Sequence, residues 1–115
     1  MAERNKYQKI LFGILNERPI AFNVGLARML GSVKAGLLLS QLLWWHEKGN
    51  DREWTYKTME EIKQETALSR KEQDGAIRIL KKSKILEVMV KGLPAKRHFK
   101  IDFDKIIELA EKHYK

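Results

Sequence analysis

Lysine and arginine side chains are concentrated between Ser69 and Ile101. This segment contains ten basic and three acidic residues, so it carries +7 of the formal net charge of +8. Ammonium and guanidinium groups at this density bind phosphate groups, and a polyanion gains further from release of its counterions. A lysine-rich surface that only keeps a small domain in solution has a similar composition. The arrangement of these side chains on helices and strands decides between phosphate binding and a surface that only keeps the domain in solution.

The first half of the segment has the periodicity of an amphipathic helix. From Arg70 to about Ser83, apolar side chains repeat at helical spacing around Ile77, and the opposite face is basic. Arginine, glutamine and aspartate pair with guanine, adenine and cytosine edges in a DNA groove, although Asp74 equally suits the positive end of the helix dipole. The candidate DNA contacts on this helix and its capping residue are Ser69, Arg70, Lys71, Gln73, Asp74, Arg78, Lys81 and Lys82.

A basic hairpin is predicted directly after this helix. Residues 85–91 and 95–101 alternate as two strands around a Gly-Leu-Pro turn. The alternation places Arg97 and Phe99 on one face of the second strand and Lys96 on the other. The candidate phosphate contacts on the hairpin are Lys91, Lys96, Arg97 and Lys100.

Two capping boxes precede these elements. "TMEE", which begins at Thr58, and "SRKE", which begins at Ser69, both place Glu three residues after a hydroxyl. In such a box the hydroxyl and the carboxylate each satisfy a free amide of a helix N-terminus. The two boxes predict a short helix, a tight turn and a second helix. "WTYK", residues 54–57, is rich in strand-forming residues and is predicted as a third strand.

This order of elements predicts an α+β, mainly helical fold, a winged helix-turn-helix with extra N-terminal helices and a C-terminal helix. The second helix of such a pair enters the major groove of double-stranded DNA, while the hairpin contacts phosphates or a minor groove. We expect one domain over residues 1–115, with an N-terminal helical extension (5–31), a winged-helix core (32–101) and a C-terminal helix (102–115).

The flanking helices carry apolar stripes. One stripe lies on a first helix near residues 5–16 and the other on a last helix capped by Asp102 or Asp104. One basic helix and one wing cover about half of a two-fold DNA site, so the stripes predict a homodimer. Alternatively, both stripes fold back onto the apolar helix that follows Ser32 and complete a monomeric core. Their members are Tyr7, Ile10, Leu11 and Ile14, and Phe103, Ile106, Ile107 and Ala110.

Several function classes find no support in the sequence. The chain has no cysteine, and its longest apolar stretch, Ala35 to Trp45, is shorter than the roughly 20 residues of a membrane span. No export signal is evident, so we expect a cytoplasmic protein with no membrane partner. The three histidines lack metal-ligand spacing, and no phosphate-binding glycine loop or nucleophile motif occurs. We therefore expect no enzymatic activity, no metal or other cofactor and no small-molecule ligand.

Four stretches also resemble a known family. "GSVKAGLLLSQLLWW", "WTYKT", "TALSRKEQDGAIRIL" and "KGLPAK" are similar to the small winged-helix domains of phage and plasmid replication proteins, including replisome organisers and DnaD-type initiators. The resemblance extends from Ala21 to Ile101. It implies DNA binding by the helix that starts at Ser69 and by the wing around Lys91 to Arg97. We expect a role in replication initiation or transcriptional regulation of a phage, plasmid or other mobile element.

Two other functions are compatible with this scaffold. Winged helices also serve as protein-protein interaction modules in replication or regulatory complexes, but such a module has no need for the concentrated basic charge. RNA binding is less favoured, because readers of single strands stack bases on exposed aromatic side chains. The hairpin lacks such side chains in the sequence interpretation, since Phe99 is predicted to face inward.

Overall fold

The computed structural model describes residues 2–15, 17, 19–48 and 53–114, which form six helices and a three-stranded antiparallel sheet. The α+β class and the predominance of helix are therefore confirmed. Along the chain the elements are α1 (Ala2–Leu15), α2 (Val24–Leu30), α3 (Val33–Lys48), β1 (Thr55–Lys57), α4 (Met59–Thr66), α5 (Arg70–Lys82), β2 (Leu86–Lys91), β3 (Lys96–Ile101) and α6 (Phe103–His113).

Side-chain caps set the N-termini of most helices. Both predicted capping boxes are present, with Thr58 paired to Glu61 and Ser69 paired to Glu72. Ser32 caps α3, since its Oγ accepts a hydrogen bond from the Ala35 amide at 3.1 Å. The last helix is capped by Asp102, whose Oδ1 accepts from the Lys105 amide, and not by Asp104. Asn23 caps α2 in the same way.

The sheet has the strand order β1-β3-β2, so the central strand comes from the hairpin. Thr55 lies opposite Phe99, and Phe99 lies opposite Val88 on the other side. These residues define the inner face of the sheet, which points toward the core, since Phe99 is buried. The outer face is defined by the alternate positions, and its central row is Tyr56, His98 and Met89.

Helix α3 is the centre of the hydrophobic core. Leu38, Leu39 and Leu42 are completely buried and form one cluster with apolar side chains of α4, α5 and the sheet. Full burial of one leucine contributes about 1.5–3 kcal/mol, so this helix is the main source of hydrophobic stabilisation. Trp45 belongs to the cluster and Trp44 packs at its margin, since their neighbours in α3 are leucines.

The N-terminal stripe does not fold back onto α3. Helix α1 begins at Ala2, earlier than the predicted start near Asn5, and Tyr7, Ile10, Leu11 and Ile14 are all more than half exposed. A physical reason is that α2 already covers the surface of α3 around Gly36, where the absence of a side chain allows the Ala27 backbone to approach closely. The predicted end of the first helix at Asn16 lies outside the described residues. None of the described helices combines the length and apolar character that a membrane span requires.

The C-terminal stripe is divided between core and surface. Ile106 packs against the core cluster, whereas Phe103 and Ile107 are exposed. The Phe103 ring also lies 5.0 Å from the ring of His46 on α3, measured between centroids. The fold-back interpretation therefore holds for only part of α6.

Replacing Gly36 with Ala should lower the free energy of unfolding by about 1–2 kcal/mol. The new Cβ would lie 2.6 Å from the Ala27 Cα, and overpacking of about 1–3 kcal/mol exceeds the helix-propensity gain of about 1 kcal/mol. Gly75→Ala is the matched control, because its Cβ meets nothing within 4 Å. It should be stabilising by roughly 0.5–1 kcal/mol. Urea denaturation measures both variants, and a stabilised Gly36→Ala protein would contradict the close α2-α3 packing.

Candidate nucleic-acid interface

Helix α5 presents a basic face to solvent. Its inward face is fixed by Ala76, Ile77 and Leu80, which are buried in the core. The opposite side exposes five cations, and none of them forms an ion pair within the described part of the chain. We call this the basic face of α5, and its members are Arg70, Lys71, Arg78, Lys81 and Lys82.

A shallow cavity follows the basic face toward the end of α5. It has a volume of about 550 Å³ and is lined by Arg78, Lys81 and Lys82 together with Asp74 and Ile77. Gly75 lies in the same region of the helix, and open space surrounds its missing side chain. An extended anion therefore has access both to the cations and to the backbone of α5.

The carboxylate of Glu72 in the capping box at the start of α5 is paired with a backbone amide and with a lysine. The Ser69 amide donates to Glu72 Oε1 at 3.0 Å, and Lys34 Nζ on α3 lies 3.0 Å from Glu72 Oε2. The Ser69 amide and the Lys34 ammonium lower the pKa of the Glu72 carboxyl from 4.5 to about 2. Glu72 is therefore ionised and internally compensated. Ser69 is confirmed as the cap, and both its amide and its hydroxyl are engaged with Glu72.

The assignment of Gln73 as a DNA contact is wrong. Its side chain is completely buried, and Nε2 donates to the Leu68 carbonyl at 3.0 Å and to the Met59 carbonyl at 3.1 Å. These bonds satisfy backbone groups of the turn between α4 and α5 and of the start of α4. The helical spacing already placed Gln73 one turn before Ile77 on the inward face, so burial was the better prediction from the same pattern.

The assignment of Arg97 as an exposed wing contact is also wrong. The guanidinium Nη2 donates to Asp74 Oδ1 on α5 at 2.7 Å, and the side chain is only 18% exposed. Its other terminal nitrogen, Nη1, is buried without a hydrogen-bond partner in the described residues. Arg97 points inward because it occupies the same face of β3 as Phe99. The pair also removes Asp74 from the predicted set of base-contacting groups.

The tip of the hairpin carries two of the remaining cations. Lys91 and Lys96 are directly opposite each other where β2 and β3 meet the turn, and Gly92 begins that turn with a positive φ of 89°. Lys100 lies about 13 Å further along β3, at roughly 3.3 Å per residue. There it pairs with Glu53 at 2.7 Å, which raises the pKa of Lys100. The structure therefore separates Lys100 from the tip of the hairpin.

An aromatic pair on the outer face of the sheet was missed in the sequence. Tyr56 of β1 lies opposite His98 of β3, and their ring centroids are 5.5 Å apart. The sequence predicted both strands but not their register, so the hairpin was interpreted as lacking exposed aromatic side chains. The hairpin itself lacks an exposed aromatic side chain, since Phe99 is buried, but β1 adds the exposed ring of Tyr56 beside it.

The described residues contain no group of three or more His, Asp or Glu side chains arranged to hold a metal ion. Comparisons of the chain with protein-family models, with curated proteins and with solved structures found no match.

Arg97→Ala should lower the free energy of unfolding by about 1–3 kcal/mol, because a partly buried charge-assisted hydrogen bond is lost. Lys96→Ala, at the adjacent half-buried position on the outer face, removes a cation-π contact with Tyr56 and should change it by less than about 1 kcal/mol. Urea denaturation of both variants, and of Asp74→Ala with the double variant, measures the coupling of the pair. Equal stability of the Arg97 and Lys96 variants would show that the ion pair makes no structural contribution.

Proposed function

We propose that this chain is a double-stranded DNA-binding protein of the winged helix-turn-helix type. It acts in the cytoplasm in replication initiation or transcriptional regulation of a phage, plasmid or other mobile element. Helix α5 lies in the major groove, and the wing tip, defined by Lys91 and Lys96, contacts phosphates. The order α3-β1-α4-α5-β2-β3, with two helices joined by a three-residue turn before the hairpin, supports the proposed fold type.

The observation that carries the proposal is that two acidic side chains beside the basic face are paired with cations from other elements. Between Ser69 and Ile101 the acids are Glu72, Asp74 and Glu87. Lys34 compensates Glu72 from α3, and Arg97 compensates Asp74 from β3. The cations of the basic face have no such partners in the described residues. The surface is therefore more uniformly positive than the composition indicates, as phosphate binding requires.

Within the basic face, Arg78 is the best candidate for a base contact. It lies at the centre of the face and lines the cavity along the end of α5. A guanidinium pairs with two acceptors of guanine, and one such contact discriminates by about 1–3 kcal/mol. Gly75, one turn after Lys71, leaves the helix backbone open to the groove floor. Arg70 and Lys71 are placed for phosphates at the start of α5.

We further propose that the protein binds as a homodimer through α1. The described large apolar side chains of this helix, including Phe12, are more than half exposed. An isolated helix of 14 residues is marginal in water, so burial of this stripe against a second copy stabilises the helix itself. The dimer also supplies the second half-site contact that sequence-specific recognition uses.

Binding to duplex DNA should weaken steeply with salt. Each neutralised phosphate contributes about −0.9 to the slope of log K against log salt concentration, and we expect roughly four to seven contacts per domain. Arg78→Ala should relax discrimination at one base pair of a site recovered from a random pool, whereas Lys91→Ala with Lys96→Ala should weaken all sequences alike. Fluorescence anisotropy titrations measure both effects. A slope near zero would refute DNA binding and favour a protein-interaction module.

Light scattering at micromolar concentration should give a particle of twice the chain mass of 13.5 kDa. Replacing Leu11 with Glu places a charge in the proposed interface, so it should return the particle to the monomer mass. Lys9→Glu is the control, because it changes charge by a larger amount on the same helix but removes no apolar group. A wild-type monomer, with and without DNA, would show that the stripe does not join two copies.

A further inference from the structure

The outer face of the sheet combines an exposed ring, Tyr56, and a half-buried ring, His98, with the two lysines of the wing tip. Tyr56 is 43% exposed, and its ring is inclined by 38° to that of His98. Lys96 Nζ lies 5.2 Å from the centroid of the Tyr56 ring. We infer that this surface binds single-stranded DNA, with unpaired bases stacked on Tyr56 and His98 and with phosphates on Lys91 and Lys96.

The space beside the two rings has the size of a nucleotide-binding site. An open groove of about 420 Å³ lies between the rings and the turn of the hairpin, and its far side is formed by Pro94 and the fully exposed Leu93. Ligand sites of small molecules have volumes of roughly 300–1,000 Å³ and are lined mostly by apolar and aromatic groups. Here the two lysines stand at the margin of the same groove. The arrangement provides an apolar place for a base next to cations for its phosphate.

The chemistry of this surface favours an unpaired strand over a duplex or an acidic peptide. Bases in a duplex are already stacked on each other, so their faces cannot pack against Tyr56 or His98, whereas any unpaired base offers a face for stacking. The Lys96 ammonium lies above the Tyr56 ring in the free protein. A base that stacks on this ring displaces the ammonium, which then contacts the phosphate of the same strand. An acidic peptide would use the lysines but leave the rings without a planar partner.

The proposed surface is separable from the basic face of α5. Arg97 on the inner face of β3 contacts Asp74 of α5, whereas Lys96 and His98 alternate to the outer face. Tyr56 is not among the residues that we assign to duplex contacts. Only the lysines of the wing tip belong to both surfaces. The choice of DNA over RNA as the single strand rests on the proposed function, because separated DNA strands occur where a duplex is opened.

The test compares a labelled 12-nucleotide oligothymidylate with a 20-base-pair duplex at low salt, by fluorescence anisotropy on the full chain. Tyr56→Leu should weaken oligothymidylate binding about tenfold to a hundredfold, the factor expected for loss of one stacked base. Duplex binding should stay within about twofold. Tyr56→Phe, which keeps the ring, should bind both ligands like the wild type. His98→Leu should repeat the effect of Tyr56→Leu, and thermal unfolding of each variant verifies that it is folded.

Arg78→Ala should produce the reverse pattern, with duplex binding weakened and oligothymidylate binding unchanged. If folded Tyr56→Leu and His98→Leu variants bind oligothymidylate like the wild type, the stacking surface is refuted whatever the duplex result. If Arg78→Ala weakens both ligands equally, one surface binds both and the inference fails while the proposed function stands.

Three further outcomes separate the two proposals. Tyr56-dependent oligothymidylate binding without any duplex binding would support the stacking surface and refute the proposed function. Wild-type protein that binds neither ligand would refute both. Tighter, Tyr56-dependent binding of a 12-nucleotide oligouridylate would overturn the assignment to DNA and identify RNA as the ligand.

Discussion

The ion pair between Arg97 and Asp74 is the contact on which the arrangement of the charged surface depends. Its 2.7 Å bond joins the inner face of the sheet to the exposed side of α5, so it fixes where the wing stands relative to the basic face. Hydrophobic burial of Ile77 and Leu80 holds α5 in the core but is non-directional. A guanidinium bound to one carboxylate sets a direction, because its donors lie in a rigid plane. The two Gln73 hydrogen bonds do the same for the turn before α5.

The same polar contacts sort charges into an inner and an outer set. Glu72 and Asp74 are acids within the basic segment, yet each is compensated by a cation from another element. Lys100 is compensated in turn by Glu53. Among the described residues of the basic segment, the cations of the basic face and of the hairpin tip form no ion pair, and Lys84 and Glu87 form none either. A surface of one sign raises the local concentration of a polyanion and its rate of encounter, which a mixed surface of equal net charge does not.

Local signals in the sequence were sufficient for the secondary structure and insufficient for the pairing of side chains. The capping boxes at Thr58 and Ser69 and the alternation of the hairpin depend on neighbours within a few residues, and the structure confirms them. The partners of Arg97 and Tyr56 are 23 and 42 residues away in the chain, so no local pattern identifies them. Gln73 was misassigned for a different reason. Its inward position was readable, but its amide was interpreted by its capacity to pair with adenine and not by its burial.

The two proposed DNA surfaces share Lys91 and Lys96, and this has an energetic consequence. Lys91 and Lys96 are neighbours across one strand pair, so both belong to one small cationic site. A lysine ammonium of this site that contacts a duplex phosphate is not available to a phosphate of a strand on the outer face. Under both proposals, occupation of one surface therefore weakens the other by the free energy of the shared contacts. Thermodynamic linkage makes this effect reciprocal, so an unpaired strand on Tyr56 and His98 loosens the wing from a duplex to the same extent. In the proposed complex helix α5 keeps its own cations in either state, so its proposed contacts with the major groove are independent of the competition. Under both proposals, binding of an unpaired strand therefore releases the wing while helix α5 stays in place.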